Sequence, residues 1–233
     1  NSLIHAREWI TGTTAMYIAE ELLTRYGTDP QITRVLDRFQ VLIVPVLNPD
    51  GYVYTWTTDR FWRKNRRNHG NGYAGVDLNR NFGFQWGLNS GSSSNTWDET
   101  YRGTAAFSEP ESAVLRDMIQ SRPYIRAYLD IHSYSQLILS PWGYTNLAPP
   151  RATEFLAWNA ALQIGIARDQ RLVYRSGPGS TNTYPTSGTT SDWAFGARSI
   201  PAWGMELRPD SSGTGGGFAP APSLIVPTGR EML

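Results

Sequence analysis

The chain has 233 residues, of which 40% are hydrophobic and 18% charged, with a formal net charge of +1 and no cysteine. This balance supports one sizeable core. It gives no electrostatic footprint for nucleic acid or an anionic membrane, and it excludes disulfide frameworks and thiolate metal sites. No apolar run reaches membrane-spanning length. Aromatics make up 12%, which on composition alone would suit a carbohydrate-type binding module.

In chain order, Arg7 to Tyr26 reads as a helix with a broad apolar face, and Gly27 as its stop. Asp29-Pro30 reads as an N-cap followed by Pro at the first helical position, opening a short helix to Arg38. Phe39 to Leu47 (FQVLIVPVL) is a nearly continuous apolar run, the pattern of a strand buried on both faces. Asn48-Pro49-Asp50-Gly51 is a turn signal. Residues 55–105 are irregular, and a loop of that length in a compact domain is usually functional. Ser108-Glu109-Pro110-Glu111 reads as a capping box opening a helix to Ser121. Strands are predicted at Ile125–Ile131, Leu137–Pro141, near Leu172 and at Ala202–Leu207. Helices are predicted at Thr153–Asp169 and Ser191–Ala197, and Thr228 to Glu231 begins a last capping box. Strands alternating with helices give an α/β fold: a three-layer α/β/α domain with a mixed, mostly parallel twisted sheet flanked by helices. Residues 1–233 read as one domain. The chain opens without Met and its last helix has only begun at Leu233, so it reads as a mature product or a fragment, incomplete at both ends.

There are three histidines, His5, His69 and His132. His5 and Glu8, three residues apart at a helix start, share one side and can grip one ion. Alone, the pair reads equally as a surface ion pair. His132 directly follows an apolar strand, and functional groups of α/β folds gather at the carboxyl ends of strands. Alone, it reads as a histidine capping a strand. Together they offer two imidazoles and one carboxylate with a fourth position free for water, a catalytic zinc pattern.

Six stretches, His5-Ala-Arg-Glu-Trp-Ile, Asn48-Pro-Asp-Gly-Tyr, Phe61-Trp-Arg-Lys-Asn-Arg, Val76-Asp-Leu-Asn-Arg-Asn, Ile131-His-Ser-Tyr-Ser-Gln and Met205-Glu-Leu-Arg, resemble the pancreatic-type zinc metallocarboxypeptidases, and they stand in the family's order. The His2Glu set is the known one of carboxypeptidase A, so the resemblance and not the spacing fixes it. The chain departs from the family in lacking its first strands, part of its last helix and a disulfide. Tyr73 and Trp97 stand at the positions of that disulfide, where an aromatic contact is expected.

The resemblance implies a residue-by-residue assignment. His5, Glu8 and His132 would hold one Zn2+ per chain. Asp77 would orient His5 from behind. Glu206 would be the general base toward a zinc-activated water, and Arg63 would stabilise the oxyanion. Asn79 and Arg80 would bind the free C-terminal carboxylate of the substrate, Arg80 through its planar fork. Tyr184 would close over it from a Gly/Ser/Thr-rich loop, and Arg7 would bind the peptide further upstream. Apart from Arg63, the basic cluster Arg60 to Arg67 is expected to be a solvated face. Ser191 at the pocket floor and Gly204 on its wall, with Gly179 nearby, imply a roomy uncharged pocket. Bulky apolar or aromatic C-terminal residues are therefore expected, unless Asp210 or another carboxylate reaches in. Arg208-Pro209 is expected to be cis.

The implied function is a metallocarboxypeptidase acting on peptide and protein C-termini, with no nucleic-acid or membrane partner. The protein is expected to be a monomer, made with an N-terminal prosegment and located outside the cell, or alternatively in a vacuolar or lysosome-like compartment. Two other readings are a zinc deacylase or amidase of the same superfamily and a catalytically inactive binding relative. The second would be expected to have lost the base, the ligands or the carboxylate clamp, all of which are present here.

Overall fold

A computed structural model describes residues 1–70, 72, 74–210 and 217–233. Helix α1 (Trp9–Arg25) ends where Gly27 takes a positive φ of 80°. Helix α2 (Pro30–Leu36) opens as predicted: the Asp29 carboxylate accepts from the backbone N–H groups of Gln31 and Ile32 at 2.8 and 3.1 Å.

The next two expectations are corrected. The run from Phe39 to Leu47 is not a strand, and Phe39, Val41 and Leu42 are exposed. Its bonds across to a neighbouring segment come late, with Ser2 N donating to Val44 O (3.0 Å) and Leu47 N to Ser2 O (3.1 Å). A strand buried on both faces needs neighbours along its length, and this run has only the short Ser2–Leu3 segment beside it. Asn48-Pro49-Asp50-Gly51 does not make a turn but starts helix α3 (Pro49–Thr57). Asn-Pro is an N-cap followed by a first helical residue as well as a turn signal, and here the Asn48 side chain accepts from Gly51 N at 3.0 Å.

Helix α4 (Pro110–Gln120) lacks the predicted capping box. Glu109 is its N-cap, and the Ser108 hydroxyl donates to the Glu109 carboxylate (2.8 Å) instead of capping the backbone. Strand β1 (Tyr128–Ser133) begins later than predicted because Ile125 is held in a turn, its N–H donating to Arg122 O. Strand β2 (Leu137–Ser140) and helix α5 (Ala152–Gln170) fall close to prediction. Strand β3 (Arg175–Pro178) lies beyond Leu172 and runs into a single turn, α6 (Gly179–Asn182). Helix α7 (Thr190–Arg198) and strand β4 (Ala202–Leu207) match their predicted places. Helix α8 (Ile225–Glu231) starts three residues before Thr228, whose hydroxyl donates back to Leu224 O inside the helix. The Arg208–Pro209 peptide is cis. The expected Tyr73–Trp97 contact lies outside the described residues.

The sheet is mixed, in the order β1-β4-β2-β3: β1/β4 and β2/β3 are parallel, β4/β2 antiparallel. Register pairs Asp130 with Gly204, His132 with Glu206, Glu206 with Leu137 and Gly204 with Leu139. Because side chains alternate along a strand, these residues share one face, and all of them line a single cavity. The alternate residues face the other way. Ile131 and Leu207 meet Ile10 of α1, while Trp203 packs on Phe155 of α5 (ring centroids 5.4 Å) and donates its indole N–H to Asn159 at 2.8 Å. Helix α7 covers part of the cavity face, so helices flank the sheet on both sides.

The long irregular segment after α3 is tied down by buried polar groups. Lys64 donates to the carbonyls of Thr96 and Asp98, and Asn81 to those of Arg102 and Ala105. The Arg60–Arg67 cluster is not the solvated face expected. Arg60 stacks 3.7 Å from Trp9 and Arg66 3.6 Å from Tyr54, while Lys64 is buried. Guanidinium planes lie on aromatic faces, and the neighbouring aromatics supply those faces. Asn48 joins this segment to the chain's start: its fully buried amide donates to Ile4 O and Lys64 O at 3.2 and 3.1 Å, next to His5 and Arg63. Asn48→Ala removes a cap and strands two buried carbonyls. It should lower stability by roughly 2–4 kcal/mol, measured by urea unfolding of the metal-free protein.

Candidate active site

His5 lies in the segment that leads into α1, and backbone pairing fixes it from both sides. Ser2 bridges to Ile131 of β1, Asn48 N donates to Leu3 O (3.0 Å), and Ala6 N donates to Arg63 O (3.0 Å). Glu8 is the residue before α1. His132 is the penultimate residue of β1. These three residues are buried, and one donor atom of each lies within 4.8 Å of the others.

The Nδ1 atoms of the two rings face each other at 3.2 Å. His5 Nδ1 is 2.8 Å from Glu8 Oε1, and His132 Nδ1 is 3.2 Å from Glu8 Oε2. Both Nε2 atoms point outward to carboxylates: His5 to Asp77 Oδ1 at 3.1 Å and His132 to Asp130 Oδ2 at 2.8 Å. Two imidazole nitrogens and a carboxylate oxygen converging in a dry site form a donor set suited to zinc. The outward carboxylates are the outer partners that ligating imidazoles use.

The charges in this cluster are mutually dependent. Burial alone would raise the Glu8 and Asp77 carboxyls. The imidazoles beside Glu8, and Arg63 and Arg80 beside Asp77, outweigh burial and hold both well below the ordinary range. Burial would likewise favour neutral His132, yet Asp130 and Glu8 push it well above its usual value. Glu206 goes the other way: burial pushes it up to about 8, and the neighbouring Glu8 adds to this while His132 opposes it.

The remaining predicted residues collect around the same cavity. Arg63 grips Asp77 Oδ2 with Nε and one Nη (3.1 and 2.9 Å), so Asp77 supports both His5 and Arg63, and it also accepts from Asn79 N (2.9 Å). Arg80 is 3% exposed. One Nη donates to Asn79 O (2.8 Å), the other to the Tyr184 hydroxyl (3.2 Å), and its buried Nε has no partner among the described residues. Tyr184 itself is half exposed and already lies against Arg80. Arg7 lines the cavity but is partly engaged, donating to Glu99 (3.2 Å) and Phe61 O (3.3 Å) and lying 4.3 Å from the Phe218 ring. Ser191, Gly204 and Gly179 line the cavity's inner part, and Asp210 does not. A Cβ on Gly204 would meet only the Leu139 side chain, at 3.7 Å, so glycine there serves space and not backbone conformation.

Two lining features escaped the sequence reading. Hydroxyls from Ser140, Thr186 and Thr189 join Ser191 in lining the cavity, and the Asp130 carboxylate, paired in register with Gly204, lines it along with the predicted Glu8 and Glu206. Asp130 was legible in part. It is a lone carboxylate inside an apolar strand, two residues before a predicted ligand and therefore on the same face.

The profile of the family described as zinc carboxypeptidase matches residues 1–233. Carboxypeptidase A4 of Mus musculus is 42% identical over 234 residues, covering 99% of this chain and 54% of its own length. Carboxypeptidase B of Homo sapiens is 41% identical over 206 residues, covering 88% and 49%. The crystal structure of thrombin activatable fibrinolysis inhibitor superposes with a TM-score of 0.92 at 34% identity, over 99% of this chain and 58% of that one. The chain spans about half the length of the curated relatives it matches.

The donor geometry predicts one zinc ion per chain. Titrating metal-free protein with zinc against a chromophoric chelator should give a single equivalent, and His5→Ala or His132→Ala should abolish it. Asp77→Ala should keep the stoichiometry but weaken the affinity about 10–100-fold.

Proposed function

The chain belongs to the zinc carboxypeptidase family, and from that premise we propose that it hydrolyses the last peptide bond of peptides and proteins, with Glu206 as general base. The observation that carries this reading is the placement of an anion clamp in the same cavity as the metal donors. Asn79, Arg80 and Tyr184 converge there, and Arg80 has a buried Nε without a partner among the described residues. A planar guanidinium held this way suits a carboxylate, which it meets with two parallel hydrogen bonds. A clamp of this kind selects a free C-terminus and sets the scissile bond one residue back.

Zinc, when bound by His5, Glu8 and His132, supplies a Lewis acid that polarises the scissile carbonyl and acidifies a water. Glu206 stands beside His132 across the β1/β4 pair, at the carboxyl ends of two parallel strands. Its carboxylate accepts a proton from the attacking water and returns it to the departing amine. A single carboxylate placed beside the reacting atoms can do both. Arg63, anchored on Asp77, offers its guanidinium to the oxygen on which negative charge develops. Arg7 binds the peptide upstream of the scissile bond.

The inner pocket, with Leu137 and Leu139 on one side and glycines at positions 179 and 204, leaves room for a large side chain. We assign it a preference for bulky apolar or aromatic C-terminal residues. Asp130 does not argue for a basic residue, because His132, Thr190 and Asn1 already occupy its oxygens. The family resemblance supports a location outside the cell and synthesis as a precursor with a prosegment, and we include both in the proposal.

Release of the C-terminal residue from Phe, Leu, Lys and Arg peptides tests the reading directly. Phe and Leu peptides should be cleaved faster than Arg peptides, and peptides with an amidated C-terminus should resist. Glu206→Gln should lower kcat on the order of 10²–10⁴-fold with zinc still bound. Arg80→Ala should lower kcat/KM about 10²-fold or more. Activity that survives chelation, or equal cleavage of amidated peptides, would overturn it.

A further inference from the structure

We propose that Asp130 is a positioning residue for the metal centre: it holds the His132 ring by its Nε2–H and, through Thr190, couples that ring to the carboxylate clamp at Asn79. The inference rests on the reading that His5, Glu8 and His132 hold a metal.

The argument begins with the imidazole. A ring that ligates through Nδ1 carries its proton on Nε2. Buried, that N–H needs an acceptor. His5 meets Asp77 in this way, and His132 meets Asp130 at 2.8 Å. The Asn79 side-chain nitrogen also lies 3.1 Å from His132 Nε2, but an amide NH2 cannot accept the proton. The orientation of Asn79 is fixed independently, because its Oδ1 accepts from Thr190 N at 2.9 Å. The carboxylate is therefore the acceptor for His132.

Asp130 is itself held on every side. It is 1% exposed. Oδ2 takes the Thr190 hydroxyl and lies 2.8 Å from His132 Nε2, and Oδ1 accepts from the Asn1 amide at 2.8 Å. A strand period of two puts Asp130 and His132 on one face, and the residue paired with Asp130 on β4 is Gly204, which brings no side chain to crowd it. Thr190 opens α7 and bonds in two directions, by its hydroxyl to Asp130 and by its N–H to Asn79. One short chain of bonds thus runs from a metal-binding ring to the group that receives the substrate's carboxylate. A displaced Asp130 would disturb both.

The test is zinc affinity of the full chain, measured by competition with a chromophoric chelator for wild type, Asp130→Asn, Asp130→Ala and Thr190→Val, together with the visible spectrum of the cobalt-substituted proteins. Asp130→Ala should bind zinc about 10–100-fold more weakly. Asp130→Asn keeps the volume and an accepting oxygen, so it should fall at the low end of that range. Its cobalt bands should shift, and so should those of Thr190→Val. If Asp130→Ala does not fold, Asp130→Asn decides alone. Asp130→Asn with wild-type zinc affinity and an unchanged cobalt spectrum overturns the proposal. So does a variant that changes only the Arg-to-Phe cleavage ratio, which would make Asp130 a substrate-pocket charge. Wild-type protein that takes up no zinc is a separate result, and it removes the metal-site reading itself.

Discussion

The architecture of this site is governed by the cost of burying charge. Glu8, Asp77 and Asp130 are all 2% exposed or less. Ionised carboxylates in such a place are tenable only with compensating positive charge and full hydrogen bonding. Arg63 and Arg80 supply part of that compensation beside Asp77. A divalent ion would add to the positive charge that Arg63 and Arg80 already bring to these carboxylates. The excess of buried carboxylate is thus intelligible as a site arranged for a cation.

The sheet converts this electrostatic constraint into geometry. Its two faces do different work because side chains alternate along each strand. The residues Ile131, Trp203, Met205 and Leu207 go to α1, α5 and the core, while Asp130, His132, Gly204 and Glu206 face the cavity. Asp130, His132 and Glu206 are therefore each adjacent to an apolar residue, Ile131 or Met205, that faces the other way. A slip of one residue in register would exchange the faces, burying the carboxylates against Phe155 and Trp203. The aromatic packing behind the sheet fixes the site's register as firmly as any bond within it.

How much was legible in the sequence follows from which interactions are local. The α2 cap, Gly27 and the strands β2 and β4 were readable because short stretches determine them. The apolar run at 39–47 misled because apolarity announces burial without saying what covers it, and here Phe39 and Val41 are exposed. Asn48-Pro49 misled because an Asn-Pro pair starts turns and helices alike. At the site, His5–Glu8 was legible as a spacing and His132 as a strand-end partner for it, while Asp77 and Glu206 became candidates only through the family resemblance. Physical reasoning alone saw a strand-end histidine and two loop or strand-end carboxylates. Asp130 and Thr190 were missed because their partners are 60 residues apart in sequence and meet only when α7 covers the sheet.

The same geometry explains why clamp and metal centre sit at a fixed separation. Asn79 and Arg80 follow Asp77 in one short helical turn, Leu78–Arg80, whose first N–H groups are organised by the Asp77 carboxylate. That carboxylate also holds His5 and Arg63. Asp77 is thus a common origin from which His5, Arg63 and the Asn79-Arg80 turn are all positioned. Asp130 plays the corresponding part on the other side, for His132 and, by way of Thr190, for Asn79 again. Two buried carboxylates fix the clamp relative to the two rings from opposite directions. On the proposed exopeptidase reading this is the distance that matters, because it would determine that the carbonyl presented to the metal is the one belonging to the last peptide bond and not the next.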